Sequence, residues 1–260
     1  MSKPYHSVEV SNVSKSYGDV VALSHATLKI GTGQIFGVIG PNGSGKSTML
    51  KLIASVLQPD SGDVRVLGLD CRTDYLEVRK AVGFVPEDSV MYQSLTSREF
   101  LSLISSIYDI GDDTFNKRLE ALSQALDCTS VLDELIGSLS FGNKQKISII
   151  SALIHDPELI VLDEPTKGLD PRSFRIFKDM LAMMASNGKT IILSTHVMEI
   201  AEELCQRVCI IYKGEILAED AVSALLSRGG ARRSLERAFL DLTGESGLEN
   251  IPQRVWEAFR

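Results

Sequence analysis

The sequence predicts an α/β fold interrupted by a helical stretch. Short apolar runs bounded by glycine alternate with longer segments of helical period. One such run, Ile35-Phe36-Gly37-Val38-Ile39, leads directly into a glycine-rich loop and then an amphipathic segment. Between Ser94 and His155 the strand signals stop and helical periodicity takes over.

Taken in order, Val21 to Ile30 partly alternates, and Gly31-Thr32-Gly33 turns the chain into the run from Ile35 to Ile39. That run has no polar face, which predicts a strand buried on both sides. Met49, Leu50, Leu52, Ile53, Val56 and Leu57 then keep helical spacing. Thr96-Ser97-Arg98-Glu99 fits a capping box, and Leu101, Ile104 and Tyr108 continue one helical face. Further buried strands are expected at Leu159–Leu162, Ile191–Ser194 and Val208–Tyr212, with Lys213-Gly214 turning a hairpin into Glu215–Ala218. Gly244 to Gly247 loosens the chain before an amphipathic segment from Ile251 to Phe259. The expected organisation is a single domain: residues 1–93 and 156–219 as α/β core, 94–155 as inserted helical subdomain, 220–260 as C-terminal extension.

With 260 residues, 44% hydrophobic and 23% charged, the chain has the composition of a globular protein with a core that needs no staples. A net charge of -7 argues against a broad basic stripe, so no nucleic-acid partner is expected. Cys71, Cys128, Cys205 and Cys209 match no zinc spacing; Cys205 and Cys209 could share a helix face, but idle buried thiols are the preferred reading. The N-terminal MSKPYHSVEV lacks the apolar stretch of a signal peptide, and the apolar runs fall far short of the roughly 18 residues a membrane span needs. A cytosolic protein is expected.

Gly40-Pro41-Asn42-Gly43-Ser44-Gly45-Lys46-Ser47 matches G-x-x-x-x-G-K-[ST], in the strand–loop–helix setting that motif requires, with Thr48 next in the helix. Glycines let the backbone approach phosphates, and the helix N-terminus supplies amide donors and a favourable dipole. Lys46 is expected to meet β/γ-phosphate charge and Ser47 to ligate Mg²⁺. Leu159-Ile160-Val161-Leu162-Asp163-Glu164 is an apolar strand ending in two carboxylates. Alone, such a pair is more often a solvated turn. Beside a phosphate loop, Asp163 becomes a metal-organising residue and Glu164 a base that can orient and deprotonate water.

On these motifs and their order the chain resembles the nucleotide-binding subunit of an ABC transporter, from about Val8 to Glu219. The resemblance implies a P-loop nucleotidase core with an antiparallel β subdomain and an inserted helical subdomain. It implies ATP and Mg²⁺ as ligands and a dimer, with itself or a similar chain, closing around two ATP molecules. Leu139-Ser140-Phe141-Gly142-Asn143 falls where the family carries its LSGGQ signature, which contacts nucleotide in trans; Phe141 replaces a glycine and Asn143 a glutamine. Ser140 can also cap a helix running through Ile147, Ile150 and Ile154. His196 corresponds to the family's switch histidine, Gly168-Leu169-Asp170 to the loop coupling the two ATP sites, and Tyr17 to the aromatic that stacks on adenine.

The family's usual glutamine before the helical insertion is here Glu87, a third carboxylate for the metal site. Glutamate at this position, and the segment Ser234 to Gly244, resemble the branch of drug, antibiotic and polysaccharide exporters. The expected function is an ATPase subunit driving a separate integral membrane permease from the cytoplasmic face, with Glu87 coupling the site to a contact surface over Glu87–Ser97. The alternative weighed against it is a soluble ABC ATPase without transport, such as one serving iron–sulfur assembly. Translation relatives carry two cassettes, and repair relatives carry coiled coils or zinc modules, none of which is visible. A catalytically dead module is disfavoured by the presence of Lys46, Asp163, Glu164 and His196.

Overall fold

The computed structural model describes residues 6–88, 90–227 and 234–244. The chain opens with β1 (His6–Tyr17) and β2 (Val20–Gly31), then β3 (Ile35–Ile39), α1 (Lys46–Ile53), β4 (Ser61–Val66), β5 (Leu69–Asp70), α2 (Tyr75–Ala81) and β6 (Val82–Val85). It is then helical through α3 (Ser97–Ile107), α4 (Asp112–Ala125) and α5 (Phe141–Leu153). The strand–helix alternation resumes with β7 (Leu159–Asp163), α6 (Pro171–Ser186), β8 (Thr190–Thr195), α7 (Met198–Leu204), β9 (Arg207–Tyr212) and β10 (Glu215–Ala221). Two short helices follow, α8 (Val222–Ser227) and α9 (Leu235–Thr243).

Two sheets form. An antiparallel sheet has the order β2-β1-β4-β5, and a second has the order β10-β9-β3-β8-β7-β6. In the second sheet all neighbours are parallel except β10, which returns antiparallel to β9. The apolar runs at Ile35–Ile39, Leu159–Leu162 and Ile191–Leu193 are its central strands, buried throughout. Their side chains alternate between two cores. Phe36, Val38, Val161 and Ile192 point with α1 toward the antiparallel sheet. Ile35, Ile39, Ile160, Leu162, Ile191 and Leu193 pack on the other face with residues of α3 to α7. A strand sandwiched this way has no side on which a polar residue could be solvated, which explains the unbroken apolar runs.

Local signals hold closely. Thr96 and Glu99 form the capping box, and Ser140 caps α5 by accepting from the Asn143 amide. α1 is shorter than its periodicity indicated. It closes at Ala54, Ser55 turns to φ 55°, and Val56 is left exposed. All four cysteines are buried free thiols, and burial pushes Cys71 and Cys205 up to about 12, far from reactive thiolates. Ser234 caps α9, whose Phe239 meets Tyr212 edge-on at 6.1 Å. The amphipathic segment Ile251 to Phe259 lies outside the described residues. Among those described, no helix is long and apolar enough to cross a membrane.

α5 lies so close to β6 that a methyl on Gly83 would sit 2.0 Å from the carbonyl oxygen of Ala152, a backbone atom that cannot swing aside. Gly83→Ala is therefore expected to destabilise the fold by about 2 kcal/mol or more, the upper range for overpacking. Urea unfolding of the purified variant measures this directly.

Candidate functional site

The loop between β3 and α1 is held open by its glycines. Gly45 adopts φ 109°, and a side chain there would strike the Ala22 carbonyl at 2.4 Å. The loop thus wraps one wall of a cavity of about 480 Å³. Asn42, Gly43, Gly45, Lys46, Ser47 and Thr48 line that wall; Glu87 and Glu164 line the cavity from β6 and β7. Tyr17, Val20 and Val21 line it from the β1–β2 hairpin with large exposed apolar surfaces.

Lys46 is at the centre of the electrostatics. Its Nζ donates to the carbonyls of Gly40 (3.0 Å) and Pro41 (3.1 Å) and lies 3.9 Å from Glu164 Oε1. Both side chains are almost fully buried, at 6% and 7% exposure. Burial lowers the Lys46 pKa, and the negative charges of Glu164, Asp163 and Glu87 oppose that shift. An anionic ligand in the cavity would supply the charge that favours the ammonium.

Glu164 stands at φ 48°, a left-handed conformation that costs a non-glycine residue of order 1 kcal/mol and marks a site where geometry is imposed. Three contacts impose it. The Glu164 amide donates to Ser194 Oγ at 3.0 Å, Lys46 approaches one carboxylate oxygen, and His196 Nδ1 sits 2.8 Å from the same oxygen. A carboxylate can only accept, so Nδ1 carries the hydrogen in that bond. Ser194 Oγ also donates to Asp163 Oδ1 at 2.5 Å, tying both acidic residues to β8. Asp163 is wholly buried, and among the described residues its Oδ2 accepts no hydrogen bond. A buried carboxylate oxygen left this way is costly unless a ligand completes it. Ser44 Oγ in the phosphate loop is likewise buried without a partner.

The structure therefore brings Tyr17, the 40–48 loop, Asp163, Glu164, His196 and Glu87 to one end of the six-stranded sheet. It does not bring the 139–143 segment there: none of those residues lines the cavity. Gly168 and Asp170 lie instead against the start of α5. The Phe141 ring covers Gly168, where a side chain would meet it at 2.6 Å, and Asp170 pairs with Lys146 at 3.0 Å. Gln145 donates to the Pro165 carbonyl at 3.1 Å. Sequence reasoning missed Ser194, whose only signal was its place at the end of an apolar strand; the pairing of β8 with β7 sets it opposite Asp163. It also missed Lys167, which bonds Glu87 at 3.4 Å, and the apolar wall of Val20 and Val21.

Known proteins are similar to this chain in sequence and in fold. A sequence profile described as ABC transporter matches residues 23–167. The chain belongs to the ABC transporter ATP-binding family. Nod factor export ATP-binding protein I of Rhizobium sp. (strain N33) is 36% identical over 219 residues, covering 84% of this chain and 72% of that protein. A solved ATP-binding subunit of an ABC transporter superposes with a TM-score of 0.85 at 29% identity, over 91% of this chain and 99% of the other. A dimeric ATP-binding cassette in a post-hydrolysis state, bound to ADP and Pi, has a TM-score of 0.76 at 26% identity and covers 82% and 98%. This ABC subunit binds ATP and is an ATPase.

Two measurements probe how the site is held. Ser194→Ala strips a hydrogen bond from each buried acidic residue, so a stability loss of about 1–3 kcal/mol is expected by urea unfolding. Asp170 caps α6 through the Ser173 amide and hydroxyl, and with Lys146 these hold its carboxyl well below the usual range. The stability it adds is complete above the unfolded carboxyl pKa near 4 and is lost as pH falls toward its own depressed value. Asp170→Ala should cost about 1 kcal/mol near pH 7, and the gap to the parent protein should narrow below about pH 4.

Proposed function

We propose that the chain binds Mg·ATP in this cavity, hydrolyses it within a dimer of cassettes, and thereby drives a separate membrane permease in the direction of export. The observation that carries this reading is the buried Asp163 oxygen that accepts no hydrogen bond among the described residues, one residue before the Glu164 that meets the phosphate-loop Lys46. Tyr17, Val20 and Val21 offer an apolar shelf suited to adenine. The amides of residues 40–48 and the Lys46 ammonium suit the phosphates.

Ser47 and Asp163 would hold Mg²⁺, with Glu87 nearby. The donor set fits: Asp163 keeps a buried carboxylate oxygen that accepts no hydrogen bond among the described residues, and Ser47 lines the cavity with a hydroxyl. Mg²⁺ in nucleotide sites commonly takes one or two protein oxygens and completes its shell with phosphates and waters. When bound, the ion offsets charge on the phosphate oxygens.

Glu164 acts as general base. It accepts the proton as the water oxygen bonds to the γ-phosphorus and the bond to the β–γ bridging oxygen breaks, giving ADP and phosphate. His196 holds the carboxylate in the orientation this requires. His196 is assigned here to Glu164, which it contacts, in addition to the γ-phosphate role expected from the resemblance.

Dimerisation is supported by the position of α5. Its N-terminus, capped by Ser140 and followed by Gly142, is an anion-binding geometry, and neither residue is among those lining the cavity at the phosphate loop. A second cassette, identical or similar, would bring its own cavity there, as expected of a two-fold assembly. The solved relative holding ADP and Pi is dimeric. Export follows the relative named for Nod factor export. The permease would seat on residues 87–97, where Val90 and Tyr92 are exposed; the subunit would then work peripherally at the cytoplasmic face of the membrane.

Glu164→Gln tests the reading in the assembled complex. It keeps size and hydrogen bonding but removes the base, so ATP binding should survive while turnover falls by about 10²-fold or more. With ATP, the variant should run as a dimer by light scattering and revert when nucleotide is removed. Wild-type turnover in this variant would remove Glu164 from the chemistry.

A further inference from the structure

Glu87 poses an electrostatic problem that the cavity's other residues do not solve. It lines the same cavity as Glu164, with Asp163 buried behind. Lys46, the one cation among the described residues that line the cavity, is already engaged by Glu164. A nucleotide entering this space carries several negative charges of its own. Glu87 would repel it, because a like charge within several ångströms in a partly desolvated cleft acts more strongly than in bulk water.

Lys167 meets that charge. It follows the β7 tip in the Thr166-Lys167-Gly168 turn, and its Nζ donates to Glu87 Oε1 at 3.4 Å. The same Nζ lies 5.9 Å from the centroid of the Phe141 ring, within the range of a cation–π contact. The ring in turn lies on Gly168, whose φ of 80° and absent side chain make room for it. Lys167 is thus bounded by a carboxylate on one side and an aromatic face on the other. Its amide is also anchored, donating to the Glu164 carbonyl at 3.2 Å. The pair is exposed, at 52% for Lys167 and 43% for Glu87, so it contributes little to fold stability. Its consequence is for the charge seen by a ligand.

We propose that Lys167 is a positioning residue for nucleotide: it neutralises and holds Glu87 at the cavity wall, and Phe141 keeps the lysine there. The inference rests on the reading of the cavity as the ATP site. Lysine is required for its charge, while Glu87 is the group through which it acts. Replacing the lysine therefore matters only while Glu87 is a carboxylate.

The test is isothermal titration of the full chain with ATP in the absence of Mg²⁺, where no hydrolysis occurs, at low and high salt. Lys167→Met should weaken binding about three- to tenfold at low salt and less at high salt, the size expected of one partly screened charge. Lys167→Arg should bind within about twofold of the parent chain. Adding Glu87→Gln to Lys167→Met should restore binding to within about twofold, which a merely structural role for Lys167 would not allow. Thermal melting checks that each variant is folded. Unchanged binding in Lys167→Met, or the same loss with and without Glu87→Gln, would overturn the proposal. Lys46→Ala separates this from the underlying reading. If it abolishes ATP binding while Lys167→Met does nothing, only the lysine's role falls; if Lys46→Ala binds ATP normally, the phosphate-site reading falls and this inference with it.

Discussion

The constraint on which the rest of this structure depends is the burial of charge at the end of a fully buried sheet. Asp163 is inaccessible, Glu164 and Lys46 nearly so, and they meet where β7, β8 and the phosphate loop converge. Breaking such a buried pair by removing one partner typically costs several kcal/mol. The surroundings are accordingly arranged to support it: Ser194 serves both acidic residues, two loop carbonyls accept from Lys46, and His196 closes on Glu164. Among the described residues, Asp163 Oδ2 and Ser44 Oγ of this cluster remain buried without a hydrogen-bond partner. In the proposed cycle a ligand would finish this hydrogen-bond network, which would tie affinity for that ligand to the incompleteness of the free protein.

Much of this was legible before any coordinates. Strands sandwiched between two cores must be apolar on both faces, so Ile35–Ile39, Leu159–Leu162 and Ile191–Ser194 announced themselves, and the phosphate loop followed from its glycine spacing after a strand. Caps were equally local: Thr96 with Glu99, and Ser140 with the Asn143 amide, act within one helical turn. The antiparallel sheet was less legible from periodicity. β1 carries register shifts against both β2 and β4, and each shift breaks the alternation that identifies a strand. Its presence came from family likeness.

Long-range contacts were the part the sequence hid. Ser194 looks like any strand-end serine until β8 pairs with β7 and sets it opposite Asp163. Lys167 lies far in sequence from Glu87, and only the parallel pairing of β6 with β7 brings the segments that follow these strands together. In sequence, the signature-like segment predicts a helix cap and a partner-facing site. In the fold, Phe141 and Gly142 also pack against Gly168 of the same chain. Two departures from the family pattern, Glu87 and Phe141, looked independent in sequence but touch the same lysine in space.

Those contacts also define how the site communicates with the helical region. From the turn after β7, Pro165 accepts from Gln145, Gly168 seats Phe141, and Asp170 pairs with Lys146, so one short segment grips three successive parts of the α5 N-terminal half. The same segment begins at Glu164, whose conformation is imposed rather than relaxed. In the proposed cycle, a change at the Glu164 carboxylate on binding or cleaving ATP has a short mechanical route to α5, through backbone and side chains already in contact. Because packed interfaces shift between discrete arrangements rather than deforming smoothly, such a grip would move α5 as a body with the turn. Movement of that helix would carry its capped N-terminus toward or away from a partner cassette, coupling the chemistry in one cavity to the geometry of the other.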